Sequence, residues 1–323
     1  MMTRVLIRKF IGEAILLWAA CALALVAFNV LRVWLVSQME MERFKAIIEQ
    51  FRDYERFSPI PFDQLFSYVG RIGMTFDEPI VILCVVVWVI ARGSDVVSGE
   101  LGRGTLEMLL AQPVTRTQVM RAHGIVAVTG LAGLTLCVWL GIWIGIMCFT
   151  VKQTPPTPTL YIPLIGLHLP ILTGPIEPID TPMRELVSAE VFGVGVLNLF
   201  AFGFALLGIS TWISSIDRYR WRAVGVTIGF YVVNVILMIA SQATERLDWL
   251  KYFTYFTAYM PQEIIQHQMN LETGSPWQIL ISDTTGARQP GPFAATLFLL
   301  LIGVAGYSLA FRRFNRRDLP APV

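Results

Sequence analysis

Six runs of this chain are each apolar over a length that can cross a lipid bilayer, and no other feature restricts its fold as much. A spanning helix needs about 20 apolar residues. The runs cover residues 11–36, 75–91, 124–148, 190–214, 223–241 and 291–310. Lipid offers no hydrogen bonds, so a segment inside it must satisfy its own backbone, and each run reads as an α-helix. Of the 323 residues 55% are hydrophobic and 15% charged, against roughly 25% charged in soluble domains. A soluble chain of this length would lack the polar residues to cover its surface. That argues against a cytosolic enzyme and a nucleic-acid binder. The expected fold is all-α: one polytopic membrane domain over residues 1–323, with six transmembrane helices and amphipathic interfacial helices.

Orientation follows from Lys and Arg in the loops. The segments 1–10, 92–123, 215–222 and 311–323 hold 14 basic residues in 63 positions, while 37–74, 149–189 and 242–290 hold 10 in 128. The first set is therefore assigned to the cytoplasm with both termini, and the second to three long outer loops. The second run is the shortest. Its charge-free core is 80–91, with Asp77 and Glu78 just before it; an earlier start near Phe66 would put Arg71 at the interface or facing water. The first run continues 15 residues past Cys21, which suits an uncleaved anchor. Cys21, Cys84, Cys137 and Cys148 lack metal-ligand spacing and read as small buried hydrophobes.

In the first outer loop Met41, Phe44, Ile47, Ile48, Phe51 and Tyr54 recur at helical spacing. Such a helix lies on the outer leaflet, packs on the bundle, gates a substrate path or docks an extracytoplasmic partner. Residues 154–182 carry eight prolines, too many for a spanning helix, and read as an extended outer loop. Residues 249–269 are aromatic-rich around Pro261 and predict short interfacial helices.

The cytoplasmic segment 92–123 is the most informative. Residues 100–111 can form a short helix with Leu101, Thr105, Met108 and Leu109 on one face, extended by Leu106 and Leu110. Arg103 and Glu107 are an i,i+4 pair on the other side. Pro113 pushes Gln112 toward an extended conformation and ends the helix. Thr115 and Gln118 then have capping-box spacing and start the helix leading into the third run. Helix, proline turn and capped helix make a rigid docking surface.

The string Glu-x-x-x-Gly-Thr-x-x-x-Leu-Leu-x-x-Pro-Val-Thr-Arg, at Glu100, Gly104, Thr105, Leu109, Leu110, Pro113, Val114, Thr115 and Arg116, resembles the ABC-2 type transporter permeases, the six-span membrane subunits of ATP-binding-cassette transporters. The basic N-terminus, long first outer loop and basic tail at 311–319 extend the resemblance; the proline-rich loop departs from the simplest members. The resemblance implies a bacterial plasma-membrane export subunit working as a pair of permease chains with separate ATPase subunits. It assigns Leu101, Leu106, Met108 and Leu109 to an ATPase groove and Glu100 and Arg103 to rim charge contacts. Gly104 and Thr105 would allow close backbone approach, while Pro113, Thr115 and Arg116 would hold the turn; Leu110 belongs to the same element. Each of these residues is equally compatible with an interfacial helix and ordinary capping.

The chain has no Gly-Lys pair, hence no phosphate-binding loop, and neither a His-Glu-x-x-His nor a Gly-x-Ser-x-Gly motif. No catalytic residue, metal site or cofactor is expected, and ATP hydrolysis belongs to a partner. His123, His168 and His267 are isolated and read as solvated loop residues. Asp77 and Glu78 are the candidate pathway residues, with an outer-interface position as the alternative. Gly141–Gly145 and Gly225–Gly229 permit close helix crossing. Two other classes stay open: an ATP-independent secondary transporter or channel, and a membrane scaffold for an extracytoplasmic complex.

Overall fold

The structure, a computed structural model, describes residues 2–39, 67–153, 159–162, 167–170, 179–269, 275–282 and 288–316. Six helices among them are long and apolar enough to cross a membrane: Thr3–Gln38, Tyr68–Gly93, Arg116–Cys148, Ala189–Ile216, Arg220–Ala243 and Pro292–Arg316. The protein is thus an all-α polytopic membrane protein. The first helix has 36 residues and is about 54 Å long at 1.5 Å per residue, well beyond the roughly 30 Å hydrocarbon core. Its basic first turns therefore project past the lipid.

The second span corrects the sequence reading. It starts at Tyr68, not residue 75, with Ser67 capping the amide of Gly70 at 2.9 Å. A 3-10 turn at Met74–Asp77 interrupts it, and Glu78 is extended before Pro79 reopens the helix. The proline forces that extension on the residue before it. Arg71, expected at an interface or in water, is buried. Cys148 is exposed rather than buried; Cys21 is buried and Cys84 and Cys137 are partly so.

Small residues set the closest crossings. A Cβ on Gly141 would meet the Val26 carbonyl oxygen at 2.9 Å, and one on Gly145 would meet Val33 at 2.6 Å, so the glycine backbone of the third span lies directly against the first span. The fourth and sixth spans approach closer still: a Cβ on Gly208 would lie 2.4 Å from the Gly303 carbonyl oxygen. The fifth span is inverted relative to a helix in water. Its buried residues include Thr227, Asn234 and Ser241, while Val226, Val233, Ile236 and Ile239 point outward.

Residues 245–269 form 3-10 segments Glu245–Phe253 and Tyr255–Ala258 and helix Pro261–Met269, but they are not wholly interfacial. Trp249, Tyr252 and Phe253 are exposed, whereas Tyr255 and Tyr259 are buried against Phe202. Asn198 anchors the insertion, donating to the Ala258 carbonyl at 3.2 Å and accepting from the Met260 amide at 3.1 Å. The described parts of the proline-rich loop are extended, as expected, and pair as antiparallel ribbons: Thr150–Gln153 with Ile179–Pro182, and Thr159–Ile162 with Leu167–Pro170. The stripe from Met41 to Tyr54 lies outside the described residues.

Candidate functional site

After Gly93 the second-span helix widens into a π turn, Asp95–Gly99, and continues to Gly102. Serines hold the wide turn. The amides of Val97 and Ser98 donate to Ser214 Oγ at 3.3 and 3.1 Å, and Ser214 Oγ donates to the Ser94 carbonyl at 3.0 Å. Gly99 leaves room for the Asp95 carboxylate, since a Cβ there would lie 2.2 Å from Asp95 Oδ1 and displace it.

The single helix expected over 100–111 is instead split. Gly104 has φ +70°, a left-handed conformation glycine adopts without penalty. It turns the chain so that Thr105–Leu110 forms a separate helix. Thr115 then caps Arg116–Cys148 in a reciprocal capping box with Gln118. Arg116 Nη1 donates to the Phe314 carbonyl at 3.2 Å, tying the turn to the end of the sixth span.

Beneath this elbow lies an ion network drawn from four spans and the elbow itself. Asp95, almost enclosed, accepts from Arg103 at 2.8 and 3.3 Å and pairs with Arg220 at 3.4 Å and Arg92 at 3.6 Å. Glu100, with no exposed side-chain surface, accepts from Lys9 at 2.9 Å, Arg103 at 3.0 Å and the Thr105 hydroxyl. Burial pushes both carboxyls up. Opposing it, the Arg103 hydrogen bonds and Arg220 hold Asp95 below the usual range, and Thr105 and Lys9 do the same for Glu100. The Arg103 guanidinium is correspondingly harder to deprotonate, first through Asp95. Glu13, Asp95 and Glu100 bring carboxylate oxygens within 4.8 Å of one another, but Lys9, Arg92, Arg103 and Arg220 already pair with them. His123, expected to be solvated, is buried with Nε2 3.0 Å from Arg92 Nη2 and its ring edge-on to Phe10.

The predicted residues therefore divide. Glu100 and Leu106 are fully buried; Leu106 packs with Val96, Val97, Met120 and Phe314. In the single chain Glu100 and Leu106, expected at an ATPase rim and groove, face inward. Leu101 and Leu109 are half-buried and pack on the core. Met108 is 73% exposed, and Gly102, Arg103, Gly104, Ala111, Gln112, Pro113 and Thr115 are exposed beside it. The side chain of Leu110 lies outside the described residues. Lys9, Arg92, Asp95, His123, Ser214 and Arg220 were not foreseen.

Asp77 and Glu78 lie at the break within the second span and turn to different neighbours. Asp77 accepts from Gln262 Nε2 at 3.2 Å and lines a cavity of about 540 Å³ that also holds Asp248, Lys251 and Glu263 among apolar residues such as Ile82 and Phe256. Glu78 pairs with Arg32 of the first span at 3.3 Å.

A search of curated proteins finds no match to the chain. Residues 35–319, most of the chain and five whole spans, match the family described as ABC-2 family transporter protein. Six apolar helices, the connection between the second and third and this match together make the chain a member of the ABC-2 transporter family, a membrane-spanning permease.

Proposed function

We propose that the chain is the pathway-forming subunit of an ATP-driven exporter and takes its power from a separate ATPase through helix Thr105–Leu110. A second permease chain would complete the assembly. The observation that carries this reading is the two-sided character of the helix. Leu106 is rooted in the chain's own core, while Met108 and the turn at Ala111–Pro113 are presented outward. The ion network at its base reaches Lys9 of the first span, Arg92 of the second and Arg220 of the fifth. Pressure on the outward face would therefore be passed to several spans rather than absorbed by a loop. Export is the direction implied by the family resemblance, and the bacterial plasma membrane the expected location.

The test uses Met108→Asp, which adds charge at an exposed position and leaves Leu106 in place. The full chain is expressed with its associated ATPase and purified through a tag on the permease. Met108→Asp should reduce ATPase recovery about tenfold, the consequence of roughly 1.4 kcal/mol of lost contact, with the melting curve unchanged. Undiminished recovery, or no ATPase with the unaltered chain, would refute the coupling role. Flux through the isolated chain in nucleotide-free liposomes would establish the channel reading instead.

A further inference from the structure

Residues of the second and fifth spans and of the basic end of the bundle line a groove of about 1020 Å³, at the upper end of ligand-pocket sizes. Its walls are apolar, with Leu83, Val87, Ile228 and Val232 among them; Arg103, Arg220, Tyr219 and Trp221 stand at its mouth. We propose that this groove holds an anionic phospholipid of the leaflet at that end, with acyl chains along the walls and the phosphate between the arginines. The inference is independent of the ATPase reading.

Charge selects the headgroup. Asp95, Glu100 and Glu13 face Lys9, Arg92, Arg103 and Arg220, so the network keeps one positive charge in excess beside the mouth. Arg220 keeps 45% of its side chain exposed and Arg103 40%, which leaves donors for a further acceptor. Arg218, next to Asp217 on the short connection, and Arg222, in the first turn of the fifth span, are also exposed. The Arg222 guanidinium lies 5.3 Å from the rings of both Tyr219 and Trp221. Forked guanidinium donors match phosphate oxygens, and basic pockets between spans favour anionic headgroups. Tyr219 and Trp221, both exposed, have the amphipathic rings that settle at headgroup depth. Basic mouth over apolar walls is the complement of an acidic amphiphile, and a zwitterionic lipid would leave the surplus charge unmatched.

Native mass spectrometry of the full chain in neutral detergent tests this. The probes are palmitoyl-oleoyl phosphatidylglycerol, the matching phosphatidylcholine, and glycerol phosphate as headgroup alone. Phosphatidylglycerol should be retained at about tenfold lower concentration than phosphatidylcholine, and glycerol phosphate should not be retained. Arg220→Gln with Arg222→Gln should remove that preference, a loss of about tenfold or more at roughly 1 kcal/mol per arginine, leaving phosphatidylcholine retention unchanged. Arg222→Gln alone, outside the ion network, should remove part of it without altering the melting curve. Val87→Trp, which fills the groove, should reduce retention of both lipids. Equal retention of the two lipids, an unchanged preference in the arginine variants, or lipid binding only after a dimer dissociates would overturn the proposal; the last would make a second copy the occupant.

Discussion

Glu100 is a carboxylate without solvent access at the root of an exposed helix, which is costly unless its oxygens are paired. Lys9 and Arg103 on one oxygen and Thr105 on the other take three of its roughly four acceptor sites. Glu100→Gln should weaken the Lys9 and Arg103 contacts at a cost of about 2 kcal/mol, lowering the melting temperature of the purified chain. The pH dependence has a definite sign. Asp95 and Glu100 have folded-state pKa values below their ordinary ones, so their stabilisation is full above the ordinary carboxylate range near pH 4. It is lost as pH falls through the lower folded values. Melting temperature should be level from pH 5 to 8 and drop below about pH 4, with a shallower acid drop in Glu100→Gln; an identical acid limb in the variant would remove Glu100 from the network. The sequence displays Glu100 beside Arg103 because an i,i+3 pair is local. Nothing local links it to Lys9, 91 residues away, or distinguishes buried His123 from a solvated loop histidine.

Helical elements were legible where one-dimensional signals decide them. Apolar length located all six spans, and the Thr115–Gln118 spacing placed the start of the third helix about two turns ahead of the apolar run at 124–148. The splitting of 100–111 was not legible: Gly102 and Gly104 flank Arg103 alike, and only the fold reveals the positive φ at Gly104. Glycine spacing was equally ambiguous. Gly141 and Gly145 lie in a tight crossing, while Gly225 and Gly229 face open space. Gly208, in a longer apolar run, sits against the backbone of the sixth span. Gly208→Leu should therefore force the fourth and sixth spans apart, at about 3 kcal/mol or more of overpacking, and show as loss of monodisperse protein on size exclusion. Gly225→Leu should leave the single chain's melting temperature within a degree or two. Equal damage from both would contradict the crossing.

At the scale of the whole molecule, the second span joins two chemically different ends. One carries the arginine-rich network and helix Thr105–Leu110; toward the other, Asp77 lines a cavity with Asp248 and Glu263. Loop charge predicts which end faces the cytoplasm, because basic residues resist transfer across the membrane during insertion and leave a bias along the sequence. The cavity was not readable, since Asp77, Asp248 and Glu263 come together only when residues 245–269 fold back between spans. Six spans also require Met108 and the N-terminus to share one side and Asp248, 58% exposed, to lie on the other. Single cysteines at Met108→Cys and Asp248→Cys, in a chain with Cys21, Cys84, Cys137 and Cys148 replaced by serine or alanine, give that arrangement a direct measurement. A membrane-impermeant maleimide added to intact cells should modify the Asp248→Cys chain and spare the Met108→Cys chain, and inverted vesicles should give the reverse. Labelling of both in intact cells would mean an even number of crossings between them. It would also place the outward face of Thr105–Leu110 where an ATP-hydrolysing partner has no access to nucleotide.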